Sequence, residues 1–163
     1  MSDVVRIGLI GAGRIGKVHA RSLSMTPGAK VVAVSDVVEN AAKALADEYN
    51  IAAVYGDYNK ILADKDIDAV FICSSTDTHA PIMEEAANAG KHIFCEKPIA
   101  LELDKIDRAL DAVKKAGVTL MVGFNRRYYT GNKRLFDAMK AGEIGTPEMC
   151  LINSRDPAPP PME

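Results

Sequence analysis

The sequence predicts an α/β fold built on a doubly wound parallel sheet, and the alternation of two kinds of segment along the chain indicates it. Short apolar runs rich in Val, Ile and Phe, typical of buried strands, alternate along the chain with segments whose apolar residues recur at helical spacing. Strict alternation of strands and helices requires right-handed crossovers, which make the strands parallel and cover both faces of the sheet. Ligands of such sheets bind beyond the carboxyl ends of the strands, so we expect functional residues directly after each apolar run.

The individual elements can be predicted in chain order. The strands are expected at VRIGLI (5–10), KVVAVS (30–35), DAVFICS (68–74), HIFCE (92–96) and TLMVGF (119–124). One helix should follow the first strand, and others should lie near residues 40–49, 79–89 and 101–116. The last is the clearest, because its apolar residues Leu103, Ile106, Leu110 and Val113 are spaced at helical intervals and Gly117 follows as a favoured C-cap.

Composition excludes several classes of protein. The chain has 163 residues, of which 48% are hydrophobic, enough for one core and one domain. Its 20 basic and 22 acidic residues give a net charge of −2, so we expect no binding to nucleic acid. No apolar run approaches the roughly 20 residues of a membrane helix and no signal-peptide pattern is present, which predicts a cytoplasmic protein without membrane contact. The odd number of cysteines, Cys73, Cys95 and Cys150, without CxxC spacing, predicts three small buried apolar residues and no metal site.

A glycine-rich turn follows the first predicted strand. In GAGRIG, Gly11 permits a tight turn, Gly13 lets the backbone approach a pyrophosphate, and Gly16 lets the helix pack close to the strand. Asp36 lies 20 residues beyond Gly16 at the end of the next strand, where a carboxylate can accept hydrogen bonds from ribose hydroxyls. The predicted cofactor residues here are Gly11, Ala12, Gly13, Arg14, Ile15, Gly16 and Asp36.

The same motif predicts NAD as the cofactor. A 2′-phosphate would be repelled by Asp36 and would need a nearby arginine, whereas Val37 and Val38 follow instead. Two other interpretations are open at this point: a structural glycine turn beside a solvated Asp, and a methyltransferase that uses a similar acidic residue.

Several motifs together resemble one known family. GLIGAGRIGKVHA, AVSDV, SSTDTHA, EKPIAL, MVGFNRRY and GEIGTPE are similar, in this order, to motifs of the glucose-fructose oxidoreductase, inositol dehydrogenase and rhizopine catabolism family. Within it, the resemblance is strongest to the NAD-dependent inositol 2-dehydrogenase branch, and SRDPAPPP supports that choice. The resemblance implies a Rossmann dinucleotide-binding domain in an enzyme that oxidises a secondary hydroxyl of myo-inositol, or of a related polyol or sugar, to a ketone.

The resemblance also implies roles for charged residues at strand ends. Lys97 of the EKP motif is expected to be catalytic and to bind substrate, and Glu96 to balance charge or to contact the cofactor ribose. Pro98 could follow a cis peptide bond. Arg126 or its neighbour Asn125 is expected at the nicotinamide and Arg127 at a substrate hydroxyl. A solvated lysine and a solvated arginine pair are the alternatives.

Other polar residues are candidates from their positions alone. Ser74, Ser75 and Thr76 offer hydroxyls and N–H groups after a predicted strand. His79 either contacts the cofactor or makes a hydrogen bond at a helix start, and His19 is expected to be structural.

The resemblance finally implies a second domain. Family members continue into a substrate domain that bears an Asp followed by a catalytic His, whereas this sequence gives a dinucleotide-binding domain at 1–147 and the start of a passage at 148–163, where EMCLINSR is strand-like. We therefore expect the cofactor-binding part of a longer enzyme, inactive alone and a homo-oligomer, dimer or tetramer, when full-length. A stand-alone NAD sensor or structural module is the alternative, although such a module would not need Lys97 and Arg127.

Overall fold

The computed structural model of the protein describes residues 4–153 and 155. The chain divides into two compact units whose boundary lies between Phe124 and Asn125. The boundary expected at 147/148 stays a prediction, and residues 154 and 156–163 of the expected passage lie outside the described residues.

The first unit contains a parallel sheet. Its strands within the described residues are β1 (Val5–Ile10), β2 (Ala29–Ser35), β3 (Ala53–Tyr55), β4 (Ala69–Ile72), β5 (His92–Cys95) and β6 (Leu120–Val122). They pair in the order β3-β2-β1-β4-β5-β6, and every pair is parallel. The predicted doubly wound sheet is confirmed. The strand order reverses between β1 and β4, which is where ligands bind in this architecture.

Helices connect the strands, and further helices form the second unit. The first unit has α1 (Arg14–Ser24), α2 (Glu39–Tyr49), α3 (Asn59–Ala63), α4 (Thr76–Asn88) and α5 (Leu103–Ala116); the second has a 3₁₀ helix (Asn125–Tyr128) and α6 (Thr130–Lys140). As predicted, α5 ends on Gly117, which adopts a left-handed conformation with φ 68°. No helix in the described ranges is both long enough and apolar enough to cross a membrane.

The core lies on both faces of the sheet because successive residues of a strand point in opposite directions. On one face Leu9 and Val34 pack with α1 and α2 residues such as Ala20 and Leu45. On the other face Ile10 and Ala33 belong to a cluster with α4 and α5 residues, including Met83 and Val113. Because the strands are buried on both faces of the sheet, they carry few polar residues.

The secondary structure differs from the sequence predictions at a short strand and helix and at the run EMCLINSR. The elements β3 and α3 were missed because they have only three and five residues, too few to display a period. The strand-like run EMCLINSR forms no regular structure over its described residues 148–153 and 155, where Met149 and Leu151 are exposed. A strand needs a neighbour for its backbone groups, and this segment pairs with none among the described residues.

Cysteine burial follows the prediction at two of three positions. Cys73 and Cys95 are buried, one in each core cluster, whereas Cys150 is exposed because its segment joins no core. The prediction of burial was therefore wrong for Cys150. Burial, and then the nearby Glu96 carboxylate, raise the pKa of both buried thiols, that of Cys95 to about 12.

These thiols predict a loss of stability at alkaline pH. An unfolded chain ionises its thiols near pH 8.5, whereas the folded protein keeps Cys95 protonated until about pH 12. The free energy of unfolding should therefore fall between about pH 9 and pH 12, by at most about 1.4 kcal/mol per pH unit for each thiol. Urea unfolding at several pH values measures this slope. Cys95→Ala should reduce the decrease in unfolding free energy per pH unit, and Cys150→Ala should leave it unchanged. Equal slopes in the wild type and both variants would contradict the assignment of this pH dependence to the buried thiols.

Candidate dinucleotide-binding site

Two glycines of the turn after β1 are required by the fold itself. Gly11 has φ 100°, and a Cβ there would lie 2.6 Å from the carbonyl of Cys73. A Cβ on Gly16 would overlap the carbonyl oxygen of Gly11. Only hydrogen at these positions lets α1 start directly above the end of the strand.

Gly13 has a different reason to be glycine. Its backbone has φ −71°, which any residue adopts, and a Cβ there would meet no described atom within 4 Å. Gly13 also lines a cleft, so a side chain would project into open space rather than into protein. The folded protein does not need a glycine here, whereas a ligand that lies against the backbone does, which fits the pyrophosphate of a dinucleotide.

The N-terminus of α1 is suited to an anion. Gly13, Arg14 and Ile15 line the cleft, no side chain caps the helix start, and the first turn has no acidic residue. The first N–H groups of a helix lack partners within the helix, and its dipole places partial positive charge at this end. Both features favour a phosphate group.

Asp36 joins the glycine turn to the end of β2. Its Oδ2 accepts the N–H of Ala12 at 2.7 Å and its Oδ1 accepts the N–H of Val38 at 2.8 Å. A carboxylate offers about four acceptor positions, so roughly two remain for ribose hydroxyls. Asp36 lines the same cleft as Gly13, which brings the predicted pyrophosphate and ribose contacts together.

The cleft has a volume of about 510 Å³ and lies at the carboxyl ends of β1, β2 and β4. Its remaining lining is Ile10, Gly11, Ser35, Val37, Gly56, Tyr58, Cys73, Ser74, Ser75, Thr78 and Ile82. Ser74 and Thr78 form a hydroxyl pair at 2.7 Å. The buried Ser35 hydroxyl has no hydrogen-bond partner among the described residues.

Sequence reasoning missed Thr78 and Tyr58. Thr78 could have been found, because it lies one helical turn after Ser74. Tyr58 follows β3, a strand that the sequence did not reveal.

Several predicted cofactor residues support the cleft without lining it. Ala12 is buried, and its N–H is bound to Asp36. Thr76 is the first residue of α4, which begins there rather than near His79. His79 is buried, with Nδ1 2.8 Å from the carbonyl oxygen of Pro98 and Nε2 3.0 Å from that of Ser74. Of the two roles left open for His79, this geometry favours the structural one.

The EKP turn follows β5 and lies outside the lining of the cleft, as far as the described residues go. Lys97 is exposed, and the Lys97–Pro98 peptide is cis, as the sequence allowed. Glu96 Oε2 accepts the N–H of Lys97 at 3.2 Å, and Oε1 lies 2.8 Å from Nε2 of His19. The roles of Lys97 and Glu96 toward a substrate or cofactor stay predictions.

The second unit carries the arginine pair. Asn125 begins the 3₁₀ helix, and Arg126 and Arg127 line a cleft of about 560 Å³ with Lys133 and Phe136. Their roles at nicotinamide and substrate also stay predictions.

Metal ligands are not grouped in the described part of the chain. No cluster of three or more His, Cys, Asp or Glu side chains there is arranged to hold a metal ion.

Comparison with known proteins decides the family. Residues 5–124 match the family model described as an oxidoreductase family with an NAD-binding Rossmann fold. The chain belongs to this family. It is the glucose-fructose oxidoreductase, inositol dehydrogenase and rhizopine catabolism family that the sequence motifs resemble, so the resemblance is confirmed. The prediction of NAD as the cofactor is likewise confirmed.

The relatives include inositol dehydrogenases. The inositol 2-dehydrogenase of Rhizobium meliloti is 48% identical over 98% of this chain and 48% of the relative, and the myo-inositol 2-dehydrogenase of Thermotoga maritima is 44% identical over the same shares. The Lactobacillus casei scyllo-inositol dehydrogenase, solved with bound NAD(H) and scyllo-inositol, matches with a TM-score of 0.83 and 32% identity over 88% of this chain and 43% of that one. The chain therefore spans about half the length of the relatives that it matches.

The two kinds of glycine predict opposite mutant behaviour. Gly13→Val should weaken NAD binding at least tenfold while changing the free energy of unfolding by only about 1 kcal/mol, since its side chain projects into the cleft. Gly16→Val should instead lower the free energy of unfolding by about 2 kcal/mol or more, because the side chain overlaps Gly11.

Calorimetric titration with NAD and urea unfolding of both variants test this contrast. Normal NAD affinity in a folded Gly13→Val protein would mean that the pyrophosphate lies elsewhere.

Proposed function

We propose that this chain is the cofactor-binding part of an NAD-dependent dehydrogenase that oxidises a secondary hydroxyl of myo-inositol, or of a related cyclic polyol or sugar, to a ketone. The use of NAD in this proposal rests on one observation: two backbone N–H groups hold the carboxylate of Asp36 at the edge of an open cleft. The relatives named inositol 2-dehydrogenase support the substrate half.

The cleft favours NAD over NADP for an electrostatic reason. A ribose with both hydroxyls free can donate to Asp36, whereas a 2′-phosphate would place negative charge beside a carboxylate. The adjacent exposed residues Val37 and Val38 offer no cation to compensate. Arg14 lines the cleft at the start of α1, where it favours the pyrophosphate.

Bound NAD would supply the acceptor for the hydride that leaves the carbinol carbon. The proton of the reacting hydroxyl must leave as well, and we assign its first contact to Lys97. This lysine is exposed at the carboxyl end of β5, next to the strand whose loop lines the cofactor cleft. In its neutral form the amine has a lone pair that can accept the hydrogen bond of the reacting hydroxyl, take its proton and pass a proton on to the final acceptor. Arg127 would hold another hydroxyl of the substrate.

The opposite wall of the substrate site would come from outside this chain, since the relatives are about twice as long. That wall would supply the final proton acceptor and exclude water. A cytoplasmic location and a homo-oligomeric assembly stay predictions.

Asp36→Asn tests the basis of cofactor choice. The amide keeps the shape of the side chain, but it carries no charge and offers a single acceptor oxygen for the two N–H groups that Asp36 binds. We expect about tenfold weaker NAD binding, and tighter NADP binding because the amide no longer repels a 2′-phosphate. The ratio of the two affinities should therefore fall in calorimetric titrations. The matched control is Asp64→Asn, where the carboxylate accepts a backbone N–H two residues on in the same way. If Asp36→Asn had the same ratio of NAD to NADP affinity as the wild type, Asp36 would not determine the choice of cofactor.

Lys97→Ala tests the chemistry in the full-length protein. Loss of an acid/base group lowers turnover by about 10² or more, whereas NAD affinity should change little because Lys97 lies outside the cofactor cleft. Steady-state formation of NADH with myo-inositol measures the first quantity and calorimetry the second. Lys115→Ala, at an exposed position in the last turn of α5, is the control. Turnover equal to wild type would make Lys97 a solvated lysine without a role.

A further inference from the structure

His19 connects the cofactor helix α1 to the turn after β5. Its ring packs edge-on against Phe71 and Phe94, with centroids 5.7 and 4.8 Å away, and these two phenyl rings stack on each other at 4.5 Å. Beyond this apolar contact, His19 Nε2 lies 2.8 Å from Glu96 Oε1. The two residues are 77 positions apart in sequence, so only the fold brings them together.

Glu96 is largely buried and needs such a partner. Its side chain is 12% exposed, and a desolvated carboxylate is costly unless it is hydrogen-bonded. An ionised carboxylate only accepts hydrogen bonds, so Nε2 of His19 carries the proton between them. The second oxygen, Oε2, accepts the backbone N–H of Lys97.

Gly123 makes room for this carboxylate. A Cβ on Gly123 would lie 3.0 Å from Glu96 Oε1 and 3.1 Å from the Phe94 ring, closer than side chains normally approach. The carboxylate is therefore confined by α1, by β5 and by the residue that follows β6.

We propose that His19 is a positioning residue for the dehydrogenation: it holds Glu96, and through Glu96 the backbone of Lys97, in place. The inference rests on the proposed function, because it assigns to His19 an effect on the lysine that contacts substrate. It gives α1 two tasks. Gly13, Arg14 and Ile15 at its start line the cofactor cleft, and His19, one turn further on, fixes the turn that carries Lys97.

A purely structural histidine predicts a different outcome. If His19 served only the core, its ring contacts with Phe71 and Phe94 would matter and its hydrogen bond would not. Any substitution that harmed the protein would then lower stability, NAD affinity and turnover together. A positioning residue instead changes turnover while the cofactor site and the fold persist.

Two substitutions separate these roles. His19→Phe keeps an aromatic ring against Phe71 and Phe94 but removes the hydrogen bond to Glu96. His19→Gln gives up the ring but can still donate from its amide nitrogen. In the full-length protein we expect His19→Phe to lower kcat about tenfold while the Kd for NAD stays within twofold of the wild-type value. The kcat of His19→Gln should be close to that of the wild type.

A second measurement does not depend on turnover. The NMR signal of the Lys97 backbone amide in this chain should shift in His19→Phe and return toward the wild-type position in His19→Gln. Thermal unfolding of each variant reports whether it is folded.

The outcomes divide clearly. An unchanged Lys97 amide signal in folded His19→Phe, a parallel loss of stability, NAD affinity and kcat, or a His19→Gln variant as impaired as His19→Phe would each overturn the inference. If the wild-type protein oxidises no polyol, the proposed function fails, and the amide signal alone then decides whether His19 positions Lys97.

Discussion

The hydrogen bond from the Ala12 N–H to Asp36 Oδ2 joins the ends of two neighbouring parallel strands, and the cofactor cleft depends on it. It fixes the glycine turn after β1 against the end of β2. The tight contacts of Gly11 and Gly16 then place the start of α1 directly over that edge. Because one carboxylate both closes this turn and faces the cleft, the geometry of the proposed pyrophosphate site and that of the proposed ribose site are linked.

Two histidines connect the other strand ends. The buried ring of His79 lies between the carbonyl oxygens of Ser74, in the loop after β4, and Pro98, in the turn after β5, and its N–H donates to one of them. His19 reaches the same turn from α1 through Glu96. Loops at the carboxyl edge of a parallel sheet have no ladder to hold them, so buried side-chain hydrogen bonds supply the rigidity that a binding site needs.

The sequence predicted those features that depend on local chemistry. The glycine turn, the position of Asp36 and the C-cap at Gly117 each follow from a few neighbouring residues, and the structure has them where expected. Short elements were beyond reach: β3 has three residues, and without it Tyr58 had no predicted place in the cleft. The burial of Cys150 was predicted wrongly because an apolar residue is buried only where a partner surface covers it.

The alternation of apolar runs and helical periods by itself determined the parallel sheet and the edge at which ligands bind. The spacing of the GAGRIG turn and Asp36 indicated a dinucleotide, because that motif too depends on spacing along the chain. The tertiary structure alone decided which side chains meet. It assigned His79 to two backbone carbonyls rather than to the cleft, and it paired His19 with Glu96 across 77 residues. Such contacts depend on how the helices pack on the sheet. A local sequence pattern contains no information on which residues distant in sequence this packing brings together.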